Sequence, residues 1–239
     1  MEINSDVSDA TFKCTAGFGV RGDSGAKYIL TAGHCQYDDG SWPATYWYTK
    51  DHNYIHRDIG SWHRNVLKEG TEIDGMIIET DDIGSWTAAG KIYVRAGVGL
   101  GGYSGPSTNE EYDITDYGTS GSLIGDRVCF SGQKSADLNN YEGGSCGPVD
   151  HLYVGLLQTD VGPMDGIVVA HLCGRRGDSG GPVFRTGKAL GVLSAVPGGQ
   201  DDENSCDTTS PYDSSRPGTV YYTGLQPIIN AFNSTIDIY

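Results

Sequence analysis

Positive charge is scarce in this chain. Sixteen Lys and Arg residues face 31 Asp and Glu, which leaves a formal net charge of −15 over 239 residues. A surface of that sign repels nucleic-acid backbones and anionic membranes, so neither is expected as a partner. The acids are scattered through polar stretches such as Tyr37-Asp38-Asp39 and Gln200-Asp201-Asp202-Glu203. That distribution fits a role in solubility rather than an acidic interaction tail. Long apolar runs are missing too, and none approaches the ~18 residues of a membrane span. The cysteines form no C-x-x-C pair, which weighs against zinc ribbons and thioredoxin-type redox motifs. Met1-Glu2-Ile3-Asn4-Ser5-Asp6 has neither the basic nor the apolar segment of a signal peptide, so a secreted chain is expected to have lost its leader. No internal repeat is visible.

Glycine, by contrast, is abundant at 36 residues. Because Gly is costly inside helices, this composition favours short strands and many turns. The length suits one large domain or two small packed ones. Six cysteines, an even number, point to disulfides formed in an oxidising compartment. Phe12–Val20 and Tyr28–Ala32 flank a Gly-rich turn, Arg21-Gly22-Asp23-Ser24-Gly25, and predict a hairpin. Its outer ends would bring Cys14 and Cys35 together as a bridge. Further strand-like runs are Ile73–Ile78, Lys91–Val98, Ser122–Ile124, Arg127–Ser131, Leu152–Leu157, Gly166–Leu172, Pro182–Phe184 and Ala189–Val196. Residues 99 to 121, rich in Gly, Ser, Thr and acid, are the candidate linker between two halves. A short helix is expected at Pro227–Phe232. The predicted class is therefore all-β, in two halves, with a C-terminal helix.

Two segments carry chemistry. One is Leu30-Thr31-Ala32-Gly33-His34-Cys35, and the other is Cys173-Gly174-Arg175-Arg176-Gly177-Asp178-Ser179-Gly180-Gly181-Pro182-Val183. A Ser hydroxyl is a weak nucleophile and needs a neighbouring base and donors for an oxyanion. Glycines around Ser179 permit a tight turn that exposes its hydroxyl, and the amides of Gly177 and Ser179 are natural oxyanion donors. The chain supplies its own control in Gly22-Asp23-Ser24-Gly25, which has the same four letters but lies between two strands and lacks the Gly and Pro that follow. That string is expected to be only a hairpin turn. His52, His56, His63 and His151 have no such setting and are expected to be structural or solvated. Asn233-Ser234-Thr235 is a formal glycosylation sequon.

Both chemical motifs resemble those of the chymotrypsin-like serine proteases, with a closer likeness to the bacterial streptogrisin and alpha-lytic protease branch. Cys14 before the hairpin, Val128-Cys129-Phe130-Ser131-Gly132, Cys146-Gly147, and the C-terminal run from Leu225 to Tyr239 support that branch. The likeness spans roughly residues 12 to 239. It implies two packed six-stranded antiparallel β-barrels, one in 1–112 and one in 113–239, with an active site in the cleft between them. It further implies disulfides Cys129–Cys146 and Cys173–Cys206. Motif order His, Asp, Ser requires the carboxylate to lie between His34 and Ser179. Asp74, opening the apolar run after Glu72-Ile73, fits the family pattern best, with Asp58 as the alternative.

The implied activity is that of a secreted, monomeric serine endopeptidase acting on polypeptides without cofactor or metal. Ser194, Ala195 and Val196 are expected to pair with the substrate backbone, with Ser194 also reaching the triad carboxylate. His171 is expected on the opposite pocket wall or, alternatively, as a packed strand residue. A branched Val196 at the pocket mouth predicts poor acceptance of aromatic residues; small apolar residues are the first expectation and, with His171 and Arg175 nearby, acidic ones the second. Bacterial relatives commonly place an Arg after the third Cys, where it pairs with the Asp before the nucleophile. Here that position is Phe130, which leaves Arg127, Arg175, Arg176, Lys134 or the amino terminus as candidate partners for Asp178. A dead homologue acting as a binding module, or a serine esterase, are the competing functions.

Overall fold

In Arg127–Ser131, Val128 and Phe130 are buried while Arg127, Cys129 and Ser131 turn outward. This two-residue alternation is the signature of a strand with one face in a core. The computed structural model describes residues 2–5, 12–36, 47–50, 53–56, 60–80, 90–94, 110–117, 122–132, 144–152, 155–159, 161–172, 174–196, 218–233 and 235–238. Among these, strands dominate, and no helix is long and apolar enough to cross a membrane.

The second half closes into a six-stranded ring. Lys188–Ala195 pairs in turn with Pro182–Arg185, Arg127–Ser131, Gly144–Leu152, Ile167–Ala170 and Val220–Gly224, and the last strand returns to pair with Lys188–Ala195. Every pairing in the ring is antiparallel. Closure leaves no unpaired edge within the ring. Its interior is filled by Val128, Phe130, Leu193, Val220 and Tyr222 among others. Among the described residues, four strands of the first half and one from the C-terminus form a five-stranded sheet in the order Ile236–Ile238, Gly19–Gly22, Lys27–Thr31, Met76–Thr80 and Gly60–Asn65. The last strand of the chain thus pairs with Gly19–Gly22 of the first half. A single hydrophobic cluster joins Phe18, Leu30 and Val66 to Val192, Ile228 and Phe232, so the two halves share packing.

The Gly22–Gly25 string is the turn between Gly19–Gly22 and Lys27–Thr31, as its setting suggested. Cys14–Cys35 and Cys129–Cys146 are both bridged. Cys173 and Cys206 lie outside the described residues, as does Asp58. The short helix runs Leu225–Ala231, two residues ahead of the expected start, because Pro227 sits in its first turn rather than at its first position.

Two strand expectations are corrected and one strand was missed. Ser122–Ile124 is not a strand but leads into a turn that leaves Leu123 and Ile124 exposed. Leu152–Leu157 is split, because one strand ends at Leu152 and the next begins at Leu157, with Gly155 at φ 96° between them. The strand Gly144–Leu152 itself was invisible in the pattern, since Gly144, Gly147 and Pro148 have loop composition. Tertiary pairing on both sides imposes it.

Candidate active site

His34 lies in a single turn of 3₁₀ helix, Gly33–Cys35, directly after the strand Lys27–Thr31. The turn is fastened from two sides. Cys35 is bridged to Cys14, and the buried Asn65 amide donates to the Gly33 carbonyl at 2.8 Å. A side chain at Gly33 would strike Asn65 and Leu67, so this approach requires glycine. Asp74 sits just before the strand Met76–Thr80, fully buried. Its neighbourhood is built by both halves: Asp165 donates its backbone N–H to the Glu72 carbonyl, and Gly75 packs against Ile228 of the C-terminal helix.

The structure brings His34 and Asp74 together. Asp74 Oδ1 accepts the His34 backbone N–H at 2.9 Å, and Oδ2 lies 2.9 Å from His34 Nδ1. Burial, the strongest influence, pushes the Asp74 carboxyl up. The His34 charge, the hydrogen bonds from its ring and amide, and one from the Ser194 hydroxyl outweigh this and hold the carboxyl below its usual range. An ionised carboxylate at Nδ1 favours the tautomer with the proton on Nδ1, which leaves Nε2 able to accept one. Ser194 is buried, and its Oγ lies 2.7 Å from Thr223 Oγ1, so one hydroxyl of the pair donates to the other.

Ser179 stands on a tight loop between buried neighbours. Gly177 has φ 98° and Gly180 φ 82°, backbone conformations in which glycine is favoured. A side chain at Gly180 would collide with Thr31 Oγ1 and the Thr15 carbonyl, so the loop packs backbone against backbone on the segment leading to His34. The Ser179 carbonyl accepts the Thr15 N–H at 2.7 Å, and the Thr15 hydroxyl donates to the Gly177 carbonyl at 3.0 Å. Asp178 is fully buried, with Oδ2 accepting the Arg175 N–H at 2.9 Å. Gly132 faces its carboxylate so closely that any side chain there would overlap it. Phe130 is a core residue of the closed barrel.

On the far side of the loop, Val196, Val220 and Leu193 converge on Gly174, within about 3.3 Å of where a Cβ there would stand. Among the described residues, the His171 ring turns toward Asp150 instead. Its Nε2 lies 3.5 Å from Asp150, which also binds His151 at 2.9 Å, and its Nδ1 is buried with no partner among the described residues. Thr15, Asn65 and Thr223 escaped the sequence reading, because isolated Thr and Asn residues inside strands carry no motif. Only adjacency to Cys14 singles out Thr15. Among the described residues the one cluster with metal-ligand atoms is Cys14, His34 and Cys35, and its two sulfurs are already joined to each other.

No protein-family model matches the chain. It is 30% identical over 197 residues to serine protease 2 of Streptomyces fradiae, covering 78% of this chain and 88% of that protein. Among solved structures, the Nocardiopsis protease NAPase superposes with a TM-score of 0.61 at 20% identity, over 95% of this chain and 92% of the other. A glutamic acid specific serine protease, described as using a histidine triad in substrate binding, gives 0.63 at 22% identity, over 95% and 94%. The solved structures carry the fold, and the Streptomyces relative carries the kinship. With a carboxylate-bound imidazole beside a glycine-framed serine loop on that fold, the chain belongs to the bacterial chymotrypsin-like serine proteases and is a serine endopeptidase.

Proposed function

We propose that the chain is a secreted, monomeric endopeptidase that hydrolyses polypeptides through Ser179, His34 and Asp74 in a cleft between halves 1–112 and 113–239. His34 takes the Ser179 proton as the hydroxyl attacks the scissile carbonyl, then protonates the leaving amine as the tetrahedral intermediate collapses to the acyl-enzyme; it next deprotonates the water that hydrolyses that ester and returns the proton to Ser179. Asp74 orients the imidazole and stabilises its cation. The amides of Gly177 and Ser179 bind the oxyanion. The observation that carries this reading is the double contact of the buried Asp74 carboxylate with His34, through both Nδ1 and the backbone N–H. Two disulfides support export to an oxidising compartment.

Ser194, Ala195 and Val196 are assigned to pairing with the substrate backbone. The branched, partly exposed Val196 favours a small apolar residue before the cleaved bond and disfavours aromatic ones. The acidic alternative rested on His171 and Arg175; the His171 ring lies beside Asp150, a carboxylate that would repel an incoming acid, and Arg175 is buried. A fluorophosphonate probe tests the core of the assignment. It should modify one residue, Ser179, as mapped by peptide mass spectrometry, and His34→Ala should abolish the reaction. Labelling at Ser24, or equal labelling after His34→Ala, would remove the assignment. A peptide-library profile showing efficient cleavage after Phe or Arg would overturn the pocket preference.

A further inference from the structure

We infer that Thr15 is a positioning residue that holds the oxyanion loop in its active form. This rests on the assignment of the Gly177 and Ser179 amides made above. Thr15 comes from the other half of the chain, adjacent to the bridged Cys14, and is 3% exposed. It makes two contacts to the loop, one on each side of Asp178. Its hydroxyl donates to the Gly177 carbonyl at 3.0 Å and its N–H donates to the Ser179 carbonyl at 2.7 Å. Each of those carbonyls belongs to a peptide whose other end is also held. The Asp178 N–H donates to the Arg175 carbonyl at 3.0 Å, and the Gly180 N–H donates to the Leu193 carbonyl at 2.7 Å. The Ser179 N–H therefore lies between two peptides pinned at both ends.

Gly177 is where this restraint matters most. Its φ of 98° aims its N–H, and a residue without a side chain has little intrinsic barrier against rotating to another basin. The Thr15 hydroxyl fixes the carbonyl side of that residue and so narrows the orientations of its amide. Thr15 is itself fixed, because its carbonyl accepts the Thr31 hydroxyl at 3.0 Å, four residues short of Cys35. The Cys14–Cys35 bridge thus joins the segment that carries His34 to the residue that aligns the oxyanion donors. An oxyanion hole acts only while charge develops, so loosening it lowers turnover more than substrate binding.

Thr15→Val removes the hydroxyl and keeps the shape, whereas Thr15→Ser keeps the hydroxyl. On a peptide amide substrate, Thr15→Val should lower kcat about 10-fold, or ~1.4 kcal/mol, with KM changed less than about 2-fold. Affinity for a peptide boronic acid, which mimics the tetrahedral state, should fall by about the same factor. Thr15→Ser should recover both values to within about 2-fold. Fluorophosphonate labelling of wild-type Ser179 is checked first, so that loss of the triad assignment is told apart from loss of this inference. The inference is overturned if Thr15→Val matches the wild type in kcat and boronate affinity, if it raises KM alone, or if Thr15→Ser is equally impaired. Should Thr15→Val not fold, Thr15→Ala takes its place in the comparison. Failure of both beside a folded Thr15→Ser would assign Thr15 to stability and overturn the inference as well.

Discussion

The chain spells Gly-Asp-Ser-Gly twice, at 22–25 and at 177–180, and folds the two copies to unrelated ends. In both, the last glycine takes a left-handed turn, with φ 80° at Gly25 and 82° at Gly180. There the likeness stops. A side chain at Gly25 would meet nothing within 4 Å, whereas one at Gly180 would run into Thr31 and Thr15. Asp23 and Ser24 are exposed, and Asp178 is fully buried with an amide on its carboxylate. Four letters encode a turn, and the walls around it decide whether the turn is enclosed or left in water.

Serine substitution should separate the copies most. Ser179→Ala and Asp74→Asn should each lower kcat/KM by on the order of 10⁴ while the protein stays folded. Ser24→Ala should remain within about 2-fold of wild type. Peptide hydrolysis assays decide, and a large loss at Ser24 would reverse the assignment of the two strings.

The glycines come next. Alanine at a left-handed position costs roughly 1–2 kcal/mol in backbone alone, which is all that Gly25→Ala should lose. Gly180→Ala adds a collision with backbone and should lose at least ~3 kcal/mol or fail to fold. Urea unfolding of both variants measures the gap, and equal losses would mean that the Thr15 and Thr31 wall yields.

The aspartates sharpen the same contrast. Asp178→Asn weakens a buried, charge-assisted bond to the Arg175 amide and should cost about 2–3 kcal/mol. Asp23→Asn on the exposed turn should stay within ~0.5 kcal/mol. Comparable unfolding midpoints would show that Asp178 needs no negative charge.

The smallest effect is a pH dependence. The Asp74 carboxyl is held below its usual range in the folded state, so its contribution is complete above the unfolded value near pH 4. It is lost as pH falls through the lower, folded-state value. Stability measured by urea unfolding should therefore drop on acidification from about pH 5 downward, and Asp74→Asn should show a shallower drop. An unchanged slope would mean that Asp74 titrates alike in both states.

Much of the site was legible before any coordinates, because motif residues sit close together in sequence and their chemistry is local. Cys14 with Cys35, the strand Arg127–Ser131 and the glycine-framed Ser179 all follow from alternation, spacing or turn rules. The strand Gly144–Leu152 did not, since its Gly and Pro content opposes the pairing that neighbouring strands impose. His171 was equally ambiguous. Its place two residues before Cys173 suggested a pocket wall, and only the position of Asp150 showed what its ring faces.

By itself, the order of residues determined the all-β class and the position of the tight turns, because each depends on residues within a few positions of one another. The meeting of Asp74 with His34 across 40 residues was foreseen only through the family resemblance, and tertiary structure alone decided that Thr15 reaches Gly177 across 162. It likewise decided that one Gly-Asp-Ser-Gly is enclosed while its twin is left in water. Those outcomes depend on how strands distant in sequence close into a barrel and press together, and contacts across such separations leave no trace in local spacing.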